Sequence, residues 1–509
     1  MSKPRNLSTS STLSTLSTLY RADQTRELDR IAIQDFGIPG FTLMQRAAQA
    51  TFDAMLNSYP DCKSVCVLSG AGNNGGDGYV IATLAIMSGL TTTLIQQGDI
   101  NAIQGDALLA KDAFIKVGGI SAEFDETLLI ADVIVDAILG TGLTRNVKDD
   151  WLHIFDVVNQ SSAKKVAVDI PSGLSSDTGQ ILGACIKADL TVTYIGLKRG
   201  LFTGQARDEV GQLIFDDLGV PTSVYEQLSK KSNTYLIPQN IITNTIKPRP
   251  RCSHKGNFGS VLLIGGGEGM PGAIRLAAEA CLRSGAGLVH VATHPSHAHY
   301  INATRPEMMI KGVEEPHELD GLLAKVNTIV LGPGLGKSQW ARDLFAYVLN
   351  TNHPMIMDAD ALNILSETPI KKDNWILTPH PKEASRLLNI TAKEIESDRY
   401  LNIEKMQQKY GGVSILKGAG SLINNGSETF VCTNGNPGMS SGGMGDVLSG
   451  IIGALVAQGI DIFDAATIGV ELHAQAADLA AENGEIGMLA SDLFPHLRAL
   501  LNNKISTLN

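Results

Sequence analysis

From residue 64 onward, short apolar runs rich in Val and Ile alternate with longer segments of helical period: SVCVLSG, residues 79–87, TTTLIQQ, residues 102–117, DVIVDAILG and KVAVDIPSG. This alternation predicts an α/β domain, a mainly parallel sheet covered by helices on both faces. Two helices are predicted ahead of it, over 24–36 and 42–59, separated by a Gly-Ile-Pro-Gly turn. The apolar positions of the second, such as Leu43, Met44 and Phe52, read as helix core. Periodicity is lost between about Pro221 and Pro250, where Pro, Ser, Asn and Lys gather. A second alternating series then runs through SVLLIGGG, AGLVHVATH, NTIVLGPG, PMIMDADAL, NWILTPHP and VSILKGAG to a Gly-rich stretch opening a helix at Gly445. Its glycines fall at the carboxyl ends of strands, where open α/β sheets bind ligands.

Length supports the division, because 509 residues exceed the roughly 250–300 at which a single core stops growing. The expected limits are a disordered, biased tail over 1–20, a first domain over 21–220, a linker over 221–231 and a second domain over 232–509. The tail cycles through Ser, Thr and Leu behind Lys3 and Arg5. Its small Arg content favours a tail over an organelle transit peptide. A net charge of -11 argues against a nucleic-acid surface, which needs clustered Lys and Arg. No apolar run approaches the roughly 18 residues that would span a bilayer, so no membrane role is expected. Six scattered cysteines without a CxxC pair suit a reducing compartment, and the cytoplasm is the expected location. Small-molecule ligands and a homo-oligomeric assembly are expected.

Two segments match GxGxxG, at Gly70, Gly72 and Gly75 and at Gly267, Gly269 and Gly272, each between a strand and a helix. Nucleotide contact and simple tight turns are both open readings of these glycines. GPGLGKS fails as a P-loop, because its first glycine would fall on Leu331. The run GNNGGDG is more specific: its glycines let backbone amides approach a phosphate, while Asn73, Asn74 and Asp77 supply oxygens. Asp136, and Asp169 with Ser172, end predicted strands and should converge on the same crevice, where oxygen ligands suit a hard cation. The alternative is that both aspartates cap turns. In NPGMSSGGMGDVLSG, Gly443 and Gly445 at a helix N-terminus form an anion hole, and Asp446 can take a proton from an attacking hydroxyl. His290, His294, His297 and His299 straddle Pro295 without an HxxxH spacing, so a loop is preferred over a zinc site.

GAGNNGGDGYVIA, VDAILGTGL and VDIPSGLSSDTG resemble the NAD(P)H-hydrate epimerase family over about residues 20–220. The resemblance implies a Rossmann-like fold that binds NADHX or NADPHX and a potassium ion. Carried over, Asn73, Asn74, Gly75, Gly76, Asp77, Gly140, Thr141, Gly142, Leu143, Thr144, Arg145, Asn146 and Asp169 contact the hydrated nucleotide. Asn74, Asp136 and Ser172 hold potassium, and Asp169 is the candidate proton shuttle.

SHKGNFGSVLLIGG, TPHPKEASRL and LKGAGS, with the glycines before Asp446, resemble the NAD(P)H-hydrate dehydratase family over about residues 232–500. That implies a ribokinase-like fold in which Ala273, Gly334, His380 and Asp446 contact the hydrated dinucleotide. Lys417, Gly418, Ala419, Gly420, Ser421 and Gly445 hold the adenine nucleotide. The implied phosphoryl donor is ADP, with magnesium neutralising the phosphates. The first domain would equilibrate the R and S epimers, and the second would dehydrate the S form, releasing AMP and phosphate. The rival reading is a ribokinase-like small-molecule kinase fused to a non-catalytic nucleotide-binding module.

Overall fold

The computed structural model describes residues 17–503, which divide into two compact units, one through Tyr235 and one from Leu236. In the first, the alternating runs form β2 (Ser64–Ser69), β3 (Thr91–Gln96), β4 (Ser121–Ala122), β5 (Val133–Ala137), β6 (Lys164–Val168), β7 (Leu190–Tyr194) and β9 (Gln212–Asp216). They pair in the order β4-β3-β2-β5-β6-β7-β9, every pair parallel. Strand order reverses between β2 and β5, so the loops after these two strands open a crevice at their carboxyl ends. Strands covered on both faces are mostly apolar, as in Val133, Ile134 and Val135. Asp136, fully buried in the same strand, is the exception that demands a partner. The helix expected over 79–87 begins six residues earlier, spanning Asn73–Met87, so that most of GNNGGDG forms its first turns. The two leading helices occupy Ala22–Arg30, continued by a π-turn over Ile31–Asp35, and Gly40–Ser58.

Both ends of this unit differ from the expectation. Thr18–Tyr20 is a strand, β1, and not the end of a disordered tail; residues 1–16 lie outside the described residues. Leu19 is fully buried and pairs with Leu197 on one side and Thr234 on the other. Residues 221–231 are likewise no linker: Thr222–Glu226 is a helix, Val224 and Leu228 are buried in the first core, and the Tyr225 hydroxyl donates to Ile195 O at 2.8 Å. The polar composition there hid two buried apolar anchors, one on a short helix and one just after it, too few for periodicity to register.

The second unit repeats the logic with β11 (Ser260–Ile264), β12 (Leu288–Thr293), β13 (Met309–Gly312), β14 (Thr328–Leu331), β15 (Met355–Met357), β16 (Trp375–Leu377) and β17 (Val413–Leu416). They pair in parallel in the order β13-β12-β11-β14-β15-β16-β17, and an antiparallel extension, Leu422–Asn424 and Thr429–Val431, follows β17. The reversal falls between β11 and β14, whose following loops are laced together by Gly266 N donating to Pro333 O at 3.0 Å and Gly267 N to Gly334 O at 2.7 Å. The nearly all-apolar helix Met444–Ala457 packs along Pro271–Arg283, close enough that a Cβ on Gly450 would lie 2.0 Å from Ala277 O. Among the described residues, no helix is long and apolar enough to cross a membrane.

Candidate active sites

At the crevice of the first unit lies a cavity of about 840 Å³. Asn73, Asn74, Asp77, Gly140, Thr141, Gly142, Leu143, Thr144, Arg145 and Asp169 all line it. Asn146 is exposed outside the lining, and Gly75 and Gly76 are buried beneath it. Both are also held by packing: a Cβ on Gly75 would sit 1.9 Å from Gly70 O, and one on Gly76 2.6 Å from Met44 Cε. That close approach sets the helix Asn73–Met87 against β2, so its first-turn N–H groups face the cavity. Leu43 and Met44 belong to the core as expected and also reach the cavity wall.

Asp169 follows β6 in a left-handed conformation, φ 67°, costly for a non-glycine residue. Its carboxylate accepts from Lys198 Nζ, from Thr193 Oγ1 at 3.1 Å and from Tyr194 N at 3.3 Å. The Lys198 ammonium is buried and donates also to Thr193 Oγ1 at 3.0 Å and Tyr194 O at 2.9 Å. Sequence reasoning missed Lys198, although it sits just after a strand end, in YIGLKRG. It also missed Asp29, a cavity residue whose carboxyl burial pushes up to about 6. Burial, then the charges of Asp169 and Asp29, hold Asp77 well above the carboxylate range.

Asp136 and Ser172 are brought together. Asp136 accepts from Ser172 N at 2.7 Å, from Ser172 Oγ at 2.5 Å and from Ile138 N at 3.3 Å. Burial lifts its carboxyl to about 6 against these hydrogen bonds. Asn74 packs beside Gly140, with its Nδ2 buried and unpartnered. Asp136 in β5, Ser172 after β6, Asn74 in the helix Asn73–Met87 and Leu139 O thus gather around the loop after β5, an oxygen-rich donor set suited to a hard monovalent cation.

In the second unit the chemistry centres on a residue the sequence reading passed over. Asp358, first after β15, is buried and accepts from Lys417 Nζ at 3.0 Å, Thr378 Oγ1 at 2.7 Å and Ser449 Oγ at 2.6 Å. Burial alone would raise its pKa, but the Lys417 ammonium and these hydrogen bonds outweigh it and hold Asp358 below the ordinary value. Lys417 lies 3.9 Å from Glu383 as well. A Cβ on Gly445 would stand 3.1 Å from Lys417 Nζ, so the ammonium and the first turn of the helix Met444–Ala457 share one site. Asp446 is in that turn; burial, followed by the negative charge of Asp358, raises its carboxyl to about 7. Gly443 caps the helix at φ 92°, and the Ser441 Oγ beside it is buried without a hydrogen-bond partner.

His380 caps the helix Pro381–Leu388, its Nδ1 accepting from Lys382 N at 3.1 Å; burial and Lys417 lower its pKa to about 4. Ala273 and Gly334 face each other, 3.1 Å from the alanine methyl to a Cβ placed on Gly334. Gly336 N donates to Asp360 at 2.8 Å, and Asp360 contributes to the field at Asp446, which ties this loop to the catalytic turn. The loop of Lys417, Gly418, Ala419, Gly420 and Ser421 is held from below by Arg399. This fully buried guanidinium, also missed, donates to Leu416 O at 3.1 Å and Lys417 O at 3.2 Å. His294, His297 and His299 follow β12 in a loop where His297 contacts Tyr300 OH at 2.7 Å and Gly267 O at 3.1 Å.

A family model described as NAD(P)H-hydrate dehydratase matches residues 261–498, and one described as YjeF-related protein N-terminus matches residues 40–200. The chain is 46% identical over 490 residues to the bifunctional NAD(P)H-hydrate repair enzyme Nnr of Coxiella burnetii, covering 96% of this chain and 100% of that protein. It is 43% identical to the protein of the same name from Escherichia coli, covering 97% and 95%. Among solved structures, the ADP/ATP-dependent NAD(P)H-hydrate dehydratase of Bacillus subtilis, co-crystallised with ATP and magnesium, is similar at a TM-score of 0.50 and 27% identity, covering 53% of this chain and 98% of that one. A ribokinase-like superfamily protein of Enterococcus faecalis is similar at 0.50 and 31%, covering 53% and 96%.

Proposed function

Because the chain belongs to the bifunctional NAD(P)H-hydrate repair enzymes, we propose that it returns hydrated NADH and NADPH to use by two steps at two separate sites. The first unit interconverts the R and S forms of NADHX and NADPHX at C6, and the second dehydrates the S form. The observation that carries the reading is Asp446, a carboxyl raised to about 7 in the first turn of a helix, within a glycine loop built to receive an anion.

In the second site, Asp446 takes the proton of the C6 hydroxyl as the hydroxyl oxygen attacks the β-phosphate of ADP. The bond to AMP breaks, and the phosphorylated intermediate then loses phosphate from C6 and a proton from C5 to solvent, restoring the dihydropyridine ring. The N–H groups at the helix N-terminus and the Lys417 ammonium stabilise charge on the transferring phosphoryl group. Arg399 and Asp358 position the loop and the lysine. Ala273, Gly334 and His380 hold the hydrated dinucleotide, and the loop from Lys417 to Ser421 with Gly445 holds the adenine nucleotide. ADP is the assigned donor, and magnesium, when bound, supplies neutralising charge across its phosphates. Among the described residues no group of three or more His, Cys, Asp or Glu side chains suits a metal ion. Phosphate oxygens and water would therefore form most of the magnesium shell.

In the first site, Asp169 takes and returns the proton during inversion, with Lys198 keeping its carboxylate aimed into the cavity. Asn73, Asn74, Asp77 and residues 140–145 bind the nucleotide. Asp136, Ser172 and Asn74 would hold a potassium ion, which supplies positive charge beside the phosphate-binding loops. Mixed R- and S-NADHX incubated with the purified protein and ADP should be converted completely to NADH, followed by its absorbance. Recovery of only the S fraction would remove the epimerase step, and formation of a stable phosphorylated product would replace the dehydratase with a kinase.

A further inference from the structure

The guanidinium groups of Arg275, Arg283, Arg305 and Arg498 surround a cavity of about 710 Å³ in the second unit, with Phe494 also in its wall. One carboxylate shares that wall. Glu279, buried, accepts from Arg305 Nε at 2.5 Å and lies 3.7 Å from Arg283. Arg275 donates only to a neutral partner, the Thr304 hydroxyl. Four positive charges therefore face one negative charge, in a chain whose net charge is -11. An adjoining cavity of about 680 Å³ shares Arg283 and Arg498 and adds Lys247 and Arg249.

Helix electrostatics account for part of this. Arg283 and Arg498 lie in the last turns of their helices, where a cation offsets the negative end of the dipole. The same effect disfavours Arg275, which is nearer the positive end of Pro271–Arg283, and says nothing of Arg305, which comes from a loop. Nor does the cavity belong to the catalytic site. None of the residues assigned to the second site, Ala273, Gly334, His380, Lys417 to Ser421, Gly445 and Asp446, is among those that line it.

We propose that this cavity binds a small phosphate-bearing anion, clasped by Arg275, Arg283, Arg305 and Arg498. Planar guanidinium groups match phosphate oxygens in pairs, and the volume falls within the roughly 300–1,000 Å³ of ligand pockets. The test is calorimetric titration of the full chain with inorganic pyrophosphate, comparing wild type with Arg283→Gln/Arg498→Gln. The variant should bind one equivalent fewer, or that equivalent roughly tenfold or more weakly. A parallel titration with AMP identifies the source of the phosphate: loss of the same equivalent marks a nucleotide site, and no loss marks a site for inorganic phosphate. Should the double variant fail to fold, Arg498→Gln on an exposed residue gives the same readout. Equal stoichiometry and affinity in both proteins would overturn the site. So would a changed oligomeric state with unaltered pyrophosphate binding, which would make the cavity a contact between copies.

Discussion

Asp446→Asn keeps the size and most of the hydrogen bonding of the proposed base and removes its ability to accept a proton. General-base catalysis is worth about 10² to 10⁴ in rate, so kcat for dehydration should fall by at least about 10²-fold. The raised pKa makes a second, opposite prediction. A carboxyl moved from 3.8 to about 7 is held against ionisation in the folded protein by about 4 kcal/mol at 1.36 kcal/mol per pH unit. Because the folded value lies above the unfolded one, stability is greatest while Asp446 is protonated and is lost as pH rises toward and through 7. At pH 8 the variant should therefore melt higher than wild type, while at pH 4 the two should converge. Wild-type kcat/KM should rise with pH through about 7, and in the variant that rise should flatten. The assay is NADH absorbance recovered from S-NADHX with saturating ADP, run beside thermal melts at the two pH values. Near-normal turnover in Asp446→Asn would refute the phosphorylation step. Lost activity with a lower melting temperature at pH 8 would refute the electrostatic account of why this carboxyl is poised.

Lys198→Met should leave Asp169 without its ammonium partner, cutting epimerisation about 10²-fold or more while dehydration persists; NMR of the R and S forms follows the inversion. Asp136→Asn, which keeps an acceptor for Ser172, should abolish any potassium dependence of epimerisation and leave dehydration untouched, as titration with potassium in both assays will tell. A fragment beginning at Leu236 should fold and dehydrate S-NADHX alone. One beginning at Ser232 would carry Thr234 and Tyr235, stripped of their pairing with Leu19 and Thr18, and should be the less soluble of the two.

The strands were legible because parallel sheets buried on both faces write themselves as continuous Val and Ile runs, and the ligand crevices because glycines collect at their carboxyl ends. What stayed hidden were charged residues acting through others. Lys198, Asp358 and Arg399 belong to no short motif, and their partners are distant in sequence: Asp169 is 29 residues from Lys198, and Asp358 is 59 from Lys417. Asp358 was nevertheless within reach, since PMIMDADAL puts an acid at the same strand-end position that singled out Asp136 and Asp169. At Gly75 and Gly76 the missing side chains serve helix packing, a requirement composition cannot separate from the expected approach to a ligand. Leu19 and Val224 show the limit at the domain edges, where single apolar residues in polar surroundings carry the packing.

Each site sets an aspartate on a lysine and crowds further carboxyls around it: Asp169 and Lys198 beside Asp29 and Asp77, and Asp358 and Lys417 beside Glu383 and Asp446. Burial, with the charge of Asp169 in one site and of Asp358 in the other, pushes Asp29, Asp77 and Asp446 up. Asp358 can thus be separated experimentally from Asp446, which it tunes without touching substrate. Asp358→Asn preserves an acceptor for Thr378 and Lys417 but removes the negative charge and leaves Lys417 free to favour ionised Asp446. Burial, the larger cause, remains. The acid limb of dehydration should therefore move down from about 7 by the order of one pH unit, without reaching 3.8. The plateau should fall less than in Asp446→Asn, because the base is weakened and not deleted. A merely structural Asp358 would lower activity at every pH and leave the limb in place, and that outcome would sever the proposed coupling between the two aspartates.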